Sequence, residues 1–473
     1  MKETLVPLLP EVILAGAAVT GLLAGSWLPR RRQWAVQVLA AAACLAAMAA
    51  TGVLAAQPAT TDFAGAYTTG TVTALVRVVV LTATLLVIAF APVAIRAHPR
   101  ESEFYVLVLL AALGTITMAG ATDLLTLFAA YLLASTPAYP LAGFLKDGLG
   151  TEAALKYYLM GALSGVFMLT GVTLLYGARH ATSYTALPAG LAAGPHAVAA
   201  AGLIGILAGL LFKAGAAPVQ FWVPDVTDGT SIPVAAFVTT IPKIGALAAL
   251  ARLLSTAIPV PVVNWPVLIA ILAAATMTLG NLAAFFQDSV KRLLAYSTIS
   301  QAGYLLIPVA VATRTHLAAA SLLFYLAAYA VTNLGAFAVV AEFPRAATLR
   351  DYAGLARRHP GLAAVLLVCL LGLVGTPPTA VFLGKLEIFT AAIDGGYSWL
   401  AALAVANTVA SLFYYLRWLI PAFLLSPARP SSPALRPAGH AAAITAYAAG
   451  TASLALGIAG GAILPLLTGQ PTP

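Results

Sequence analysis

Four cations stand where the chain is otherwise apolar: Arg77, Lys213, Lys243 and Lys385. Lys213 is the most isolated of them. In the stretch LIGILAGLLFKAGAAPVQFWVPDVTDG (203–229), ten uncharged residues precede it and eleven follow. Lys243 and Lys385 lie near prolines, in IPKIG and GTPPTAVFLGKLEIF. An amine taken out of water is held back from its charged form, and a nearby carboxylate restores that form. A buried lysine whose counter-ion can be moved is therefore a proton store with two settings. Lys213, Lys243 and Lys385 are expected to form a chain of such stores joined by water. Gln220, Thr239, Thr240, Ser297, Ser300 and Gln301 are the side chains able to hold that water. Carboxylates are scarce. Glu387 lies two residues after Lys385, and Asp123, Asp225 and Asp228 fall at the ends of apolar segments.

The elements that must position these lysines are membrane helices. Of 473 residues, 61% are hydrophobic and 8% charged, with a mean hydropathy of +0.97. A soluble domain carries about 25% charged residues, so lipid is the solvent here. Fourteen spans are expected, roughly 4–27, 34–56, 70–95, 104–121, 123–145, 157–177, 197–217, 231–255, 264–286, 293–312, 317–341, 361–391, 397–424 and 439–468, each near the ~20 residues a bilayer core needs. The fold expected is all-α and integral to the membrane. The two cysteines, Cys44 and Cys369, sit in apolar runs without partners at metal or redox spacing. All six histidines fall at or near segment ends, so no buried histidine set for haem or metal is expected. No Walker loop or dinucleotide fingerprint is visible. The net charge of +9 is scattered over loops and reads as topology rather than as nucleic-acid binding. No targeting peptide is evident at the N-terminus.

Odd-numbered loops carry sixteen basic residues: Arg30, Arg31, Arg32, Arg96, Arg100, Lys146, Lys156, Lys291, Arg292, Arg345, Arg350, Arg357, Arg358, Arg417, Arg429 and Arg436. The other side has four: Lys2, Arg179, Arg252 and Arg314. This imbalance places the odd loops in the cytoplasm and both termini on the outer side. Each intramembrane cation costs about 2.5–3.5 kcal/mol on insertion scales, which is too much for ornament. For Arg77, snorkelling or a structural ion pair stands as an open alternative, and Arg417 lies at the border of its span. Prolines and glycines interrupt the seventh and twelfth spans, and each interruption has a lysine beside it. Broken membrane helices in corresponding places point to an ion path. The corresponding places are the fourth helix of spans 4–8 and the fourth of spans 9–13. Five helices is an odd number, so the two repeats are expected to be inverted. The expected division is 1–100, 101–255, 256–424 and 425–473.

Several motifs in order resemble those of the antiporter-like membrane subunits of NADH-quinone oxidoreductase (respiratory complex I), subunit N above all. They are SEFYVLVLLAALG (102–114), EAALKYYLMGALSGVFMLTGVTLLYGA (152–178), FKAGAAPVQFWVPDVTDGTSIPVAAF (212–237), GNLAAFFQDSVKRLLAYSTISQAGYLL (280–306), YLAAYAVTNLGAFAVV (325–340), LRDYAGLARRHPGLA (349–363), GTPPTAVFLGKLEIFTAA (375–392) and ANTVASLFYYLRWL (406–419). The resemblance implies a proton-translocating subunit of the membrane arm, in the cell inner or plasma membrane beside other membrane-arm subunits. Quinone, NADH, FMN and iron–sulfur clusters would belong to partner subunits, with no redox chemistry in this chain. It also implies that Lys213 takes the place of the family's central lysine, Lys243 of the bridging lysine and Lys385 of the terminal one.

The departures from that pattern are specific. The family's fifth-helix glutamate falls at Leu132 in LFAAYLLASTP (127–137). Gln220 and Gln301 stand where the family often has histidines. A carboxylate elsewhere, such as Asp123 or Asp225, or one from a neighbouring subunit, would then have to partner Lys213. Otherwise the chain is a divergent copy with an impaired channel and a mainly structural role. A subunit of a multi-subunit cation/proton antiporter is the competing function, to be told apart by dependence on sodium rather than on quinone turnover.

Overall fold

The structure, a computed structural model, describes residues 5–96, 98–425 and 433–468. Lys2 and Arg429, two of the charges used for topology, lie outside the described residues, as does the side chain of Arg179. Among the described residues the helices are, in order, α1 (Leu9–Trp27), α2 (Trp34–Ala55), α3 (Thr71–Phe90), α4 (Pro92–Ile95), α5 (Glu101–Gly120), α6 (Leu124–Ser135), α7 (Ala138–Ala142), α8 (Gly148–Arg179), α9 (Leu187–Ala193) and α10 (His196–Ala214). Then come α11 (Trp222–Gly229), α12 (Ile232–Thr256), α13 (Trp265–Ala284), α14 (Val290–Ala310), α15 (Leu317–Glu342), α16 (Leu355–Arg358), α17 (Pro360–Val374), α18 (Ala380–Asp394), α19 (Ser398–Leu424) and α20 (His440–Thr468). A two-residue hairpin, Thr61–Asp62 with Tyr67–Thr68, departs from the all-helical expectation.

Among the described residues, thirteen helical stretches are long and apolar enough to cross a membrane. The twelfth expected span, which is missing from these thirteen, is split into α17 and α18, because Gly375, Pro377 and Pro378 cannot continue a helix. Neither half is long enough to span alone. The described chain forms two compact units. The first comprises residues 5–85, 98–222 and 241–269, and the second the remaining described residues.

In the first unit, α1 packs on α2 and α5, α5 on α6, and α8 on α10. The α8–α10 contact is close because Gly205 lies against Gly171; a Cβ on Gly205 would come within 2.6 Å of the Phe167 carbonyl. Small residues of this kind let membrane helices pack backbone to backbone. In the second unit, α15 lies against α14, α17, α18 and α20. The helices α14 and α15 are buried along nearly their whole length. Their polar side chains therefore meet protein rather than lipid, and each needs a partner there.

Candidate functional site

Lys385 sits at the break in the second unit. Helix α17 ends when Gly375 turns into the left-handed region at φ 96, and its N–H bonds back to Leu371 O and Gly372 O. The cis bond Pro377–Pro378 follows, and α18 restarts at Ala380. From the second turn of α18, Lys385 reaches back to the helix end it has just left. Its Nζ donates to Val374 O at 2.8 Å and to Thr408 Oγ1 at 3.3 Å, and it lies 4.1 Å from the Tyr304 ring centroid. The last carbonyls of a helix have no intrahelical donor and form the negative end of its dipole, so they suit an ammonium. A Cβ on Gly375 would lie 2.8 Å from Lys385 Cδ, so a glycine is required for the fold and for the lysine at once. Gln301 holds the adjoining carbonyl, donating from Nε2 to Leu373 O at 2.9 Å, and accepts from the Tyr325 hydroxyl. The amide standing where the family often has histidine therefore clamps the broken helix end.

Lys213 occupies the matching place in the first unit. Helix α10 ends at Gly215, also left-handed at φ 69, and the cis bond Ala217–Pro218 follows. Lys213 is 1% exposed. Its Nζ donates to Ala134 O, in the last turn of α6, at 3.2 Å. The rings of Tyr131 and Tyr157 lie 5.6 and 5.8 Å from it, within cation–π reach. Tyr157 is held by stacking on Phe212 and Trp222, and the Trp222 indole donates to Phe212 O at 3.1 Å. Among the described residues, no carboxylate pairs with Lys213. The Tyr157 hydroxyl and Gln220 Oε1 are buried without a hydrogen-bond partner among the described residues.

The carboxylates named as candidate partners have other work. Asp123 caps α6, accepting from Leu125 N at 2.8 Å and Thr126 N at 3.2 Å, and it also accepts from the Thr182 hydroxyl. That places it at the opposite end of α6 from Ala134, so it does not partner Lys213. Asp225 accepts from Arg292 Nη1 at 3.1 Å, and Asp228 from Ser289 Oγ at 2.9 Å. Glu387, half-buried in α18, makes no ion pair with Lys385. Leu132 is 43% exposed, on the outward face of α6 rather than beside Tyr131 and Ala134. Lys243 is buried in α12 directly after Pro242.

The hydroxyls expected to hold water are mostly committed to protein partners in the second unit. Ser297 bonds to Tyr415 OH, Thr239 Oγ1 donates to Ala235 O at 2.7 Å, and Asn333 Nδ2 donates to Thr240 Oγ1 at 2.8 Å. Ser300 Oγ is buried without a hydrogen-bond partner among the described residues. Sequence reasoning missed Thr408, Tyr304, Tyr131 and Tyr157. A signal for Tyr304 was present: Ser297, Gln301 and Tyr304 recur at the i, i+4, i+7 spacing of one helix face. Sequence reasoning also missed Glu11. It accepts from Arg77 Nε at 2.9 Å and Nη2 at 2.8 Å, while Tyr67 OH donates to it at 2.8 Å. Arg77 is thus a structural ion pair, the alternative left open above. Arg417 donates to the Phe285 carbonyl and pairs with Asp288, with its side chain 39% exposed.

Residues 121–411 match the family described as NADH:quinone oxidoreductase/Mrp antiporter, TM. The chain is 56% identical over 460 residues to NADH-quinone oxidoreductase subunit N 1 of Streptomyces griseus, covering 97% of each chain. It superposes on a chain of respiratory complex I from Thermus thermophilus with bound aureothin, at a TM-score of 0.84 and 34% identity, covering 98% of this chain and 100% of that one. A chain of the Mrp complex from a Dietzia species gives a TM-score of 0.84 at 24% identity, covering 99% and 97%. At that identity the likeness speaks for the fold alone.

Proposed function

The chain belongs to the NADH:quinone oxidoreductase/Mrp antiporter family of membrane subunits, and from that premise we propose that it serves as the subunit-N-type, proton-translocating member of a complex-I-like membrane arm. Its neighbours are then other membrane-arm subunits. NADH, FMN, iron–sulfur clusters and the quinone belong to partner chains, and quinone reduction elsewhere drives the proton movement. Lys213, Lys243 and Lys385 carry the protons along two inverted five-helix repeats, and both termini lie on the outer side.

The observation that carries this reading is Lys385: a buried amine at a helix break, held by a helix-terminal carbonyl and a hydroxyl. The carbonyl suits the charged amine, and the hydroxyl can exchange a proton with it. Burial in protein keeps both out of lipid, where such a break could not persist. NADH-driven acidification measured in sealed vesicles holding the intact complex tests the proposal. Proton movement should follow quinone turnover and persist without sodium. Movement that requires sodium and ignores quinone would instead assign the chain to cation/proton exchange.

A further inference from the structure

Threonines in these helices commonly turn their hydroxyl back onto the carbonyl four residues earlier, as Thr84, Thr115 and Thr332 do at 2.7–2.8 Å. Thr408 does not. The carbonyl it would take, Ala404 O, is occupied by Tyr304 OH at 3.2 Å. Thr408 Oγ1 instead lies between Lys385 Nζ at 3.3 Å and Tyr304 OH at 3.0 Å. The charged lysine can only donate, and Tyr304 gives its hydrogen to Ala404. The three donors therefore run in one order: Lys385 to Thr408, Thr408 to Tyr304, Tyr304 to Ala404 O. Three helices meet in this chain, since Lys385 comes from α18, Thr408 from α19 and Tyr304 from α14.

We propose that Thr408 and Tyr304 form a hydroxyl relay serving Lys385. This rests on the reading of Lys385 as a proton carrier. In the outward step the Lys385 N–H bond breaks as a hydrogen joins Thr408 Oγ. The hydrogen already on Thr408 passes to Tyr304 Oη, and the Tyr304 hydroxyl, turning away from Ala404 O, gives its own hydrogen to a water molecule. The amine is left neutral, both hydroxyls are restored, and the positive charge leaves with the water. The return step reverses each transfer. The Tyr304 ring, 4.1 Å from the amine, holds the charged form within reach of the relay. Neighbouring amides anchor α19 at Asn407, the residue before Thr408. Asn281 Nδ2 donates to Asn407 Oδ1 at 3.0 Å, and Tyr414 OH donates to Asn281 Oδ1 at 3.1 Å.

The test compares protons pumped per electron by the intact complex in sealed vesicles for Lys385→Ala, Thr408→Val, Thr408→Ser and Tyr304→Phe. Thr408→Val should fall to the level of Lys385→Ala, and Thr408→Ser should recover the native value. Tyr304→Phe keeps the ring and loses the hydroxyl, so it separates packing from relay and serves even if Thr408→Val fails to assemble. It should lower pumping and abolish any solvent deuterium isotope effect carried by this step, which a packing defect would leave in place. If Lys385→Ala lowers pumping while Thr408→Val and Tyr304→Phe do not, the relay is overturned and the lysine's role stands. If Lys385→Ala changes nothing, the functional reading fails and the relay with it.

Discussion

The two broken helices are built alike and furnished differently. In each, a helix ends on a left-handed glycine, a cis-proline bond follows, and a buried lysine amine rests on a helix-terminal carbonyl. At Lys385 the amine also meets a hydroxyl that is joined to a second hydroxyl. At Lys213 the other neighbours are two ring faces. A carbonyl and an aromatic face can stabilise an ammonium, but neither can take its proton and pass another on. The backbone therefore makes the place for a charge, and the side chains around it decide whether the charge can move. Arg77 is the third case. It has a two-toothed carboxylate, so its charge is fixed and its role is structural.

The largest expected effect sharpens the line between fixed and movable cations. Glu11→Ala leaves the Arg77 guanidinium buried without its carboxylate, which should cost about 3–5 kcal/mol. A lowered melting temperature of the purified complex would report it. Lys213→Met and Lys385→Met should lower that temperature far less, because no counter-charge is stranded in either.

Next comes the comparison of the glycines. Gly375→Ala and Gly215→Ala both place a side chain in the left-handed region, at about 1–2 kcal/mol each. At Gly375 the added carbon would also come within 2.8 Å of Lys385 Cδ and strike the lysine stem. Proton pumping should therefore fall further in Gly375→Ala than in Gly215→Ala. Equal losses would mean that the two pockets are not distinguished in this way.

The smallest effect is expected from Leu132→Glu. Position 132 faces outward from α6, so a glutamate there does not meet Lys213 within this chain, and pumping should change little. A large gain would show that a neighbouring subunit encloses the position and turns the carboxylate toward the lysine.

The lysines, the breaks and the membrane spans were legible in the sequence because each leaves a local mark: a cation in an apolar run, a Gly-Pro interruption, about twenty oily residues. The count of fourteen differs from thirteen long stretches only where the Gly375–Pro378 break cuts one span in two. The partners were not legible. Glu11 and Arg77 are 66 residues apart, and Lys385 and Thr408 come from different helices, so only packing brings them together. Asp123 looked like a counter-ion by position, yet Asp before an apolar run is also a helix-cap signal, and that is how it is used. Leu132 was read as the vacated place of a partner for Lys213. Only the helix face it occupies shows that the place points elsewhere.

The most direct measurement is the number of protons pumped per electron by the intact complex in sealed vesicles, comparing Lys385→Ala with Lys213→Ala. The contrast between the two pockets predicts a clear loss for Lys385→Ala and a smaller one for Lys213→Ala. A loss for Lys213→Ala that matches or exceeds that for Lys385→Ala would contradict it.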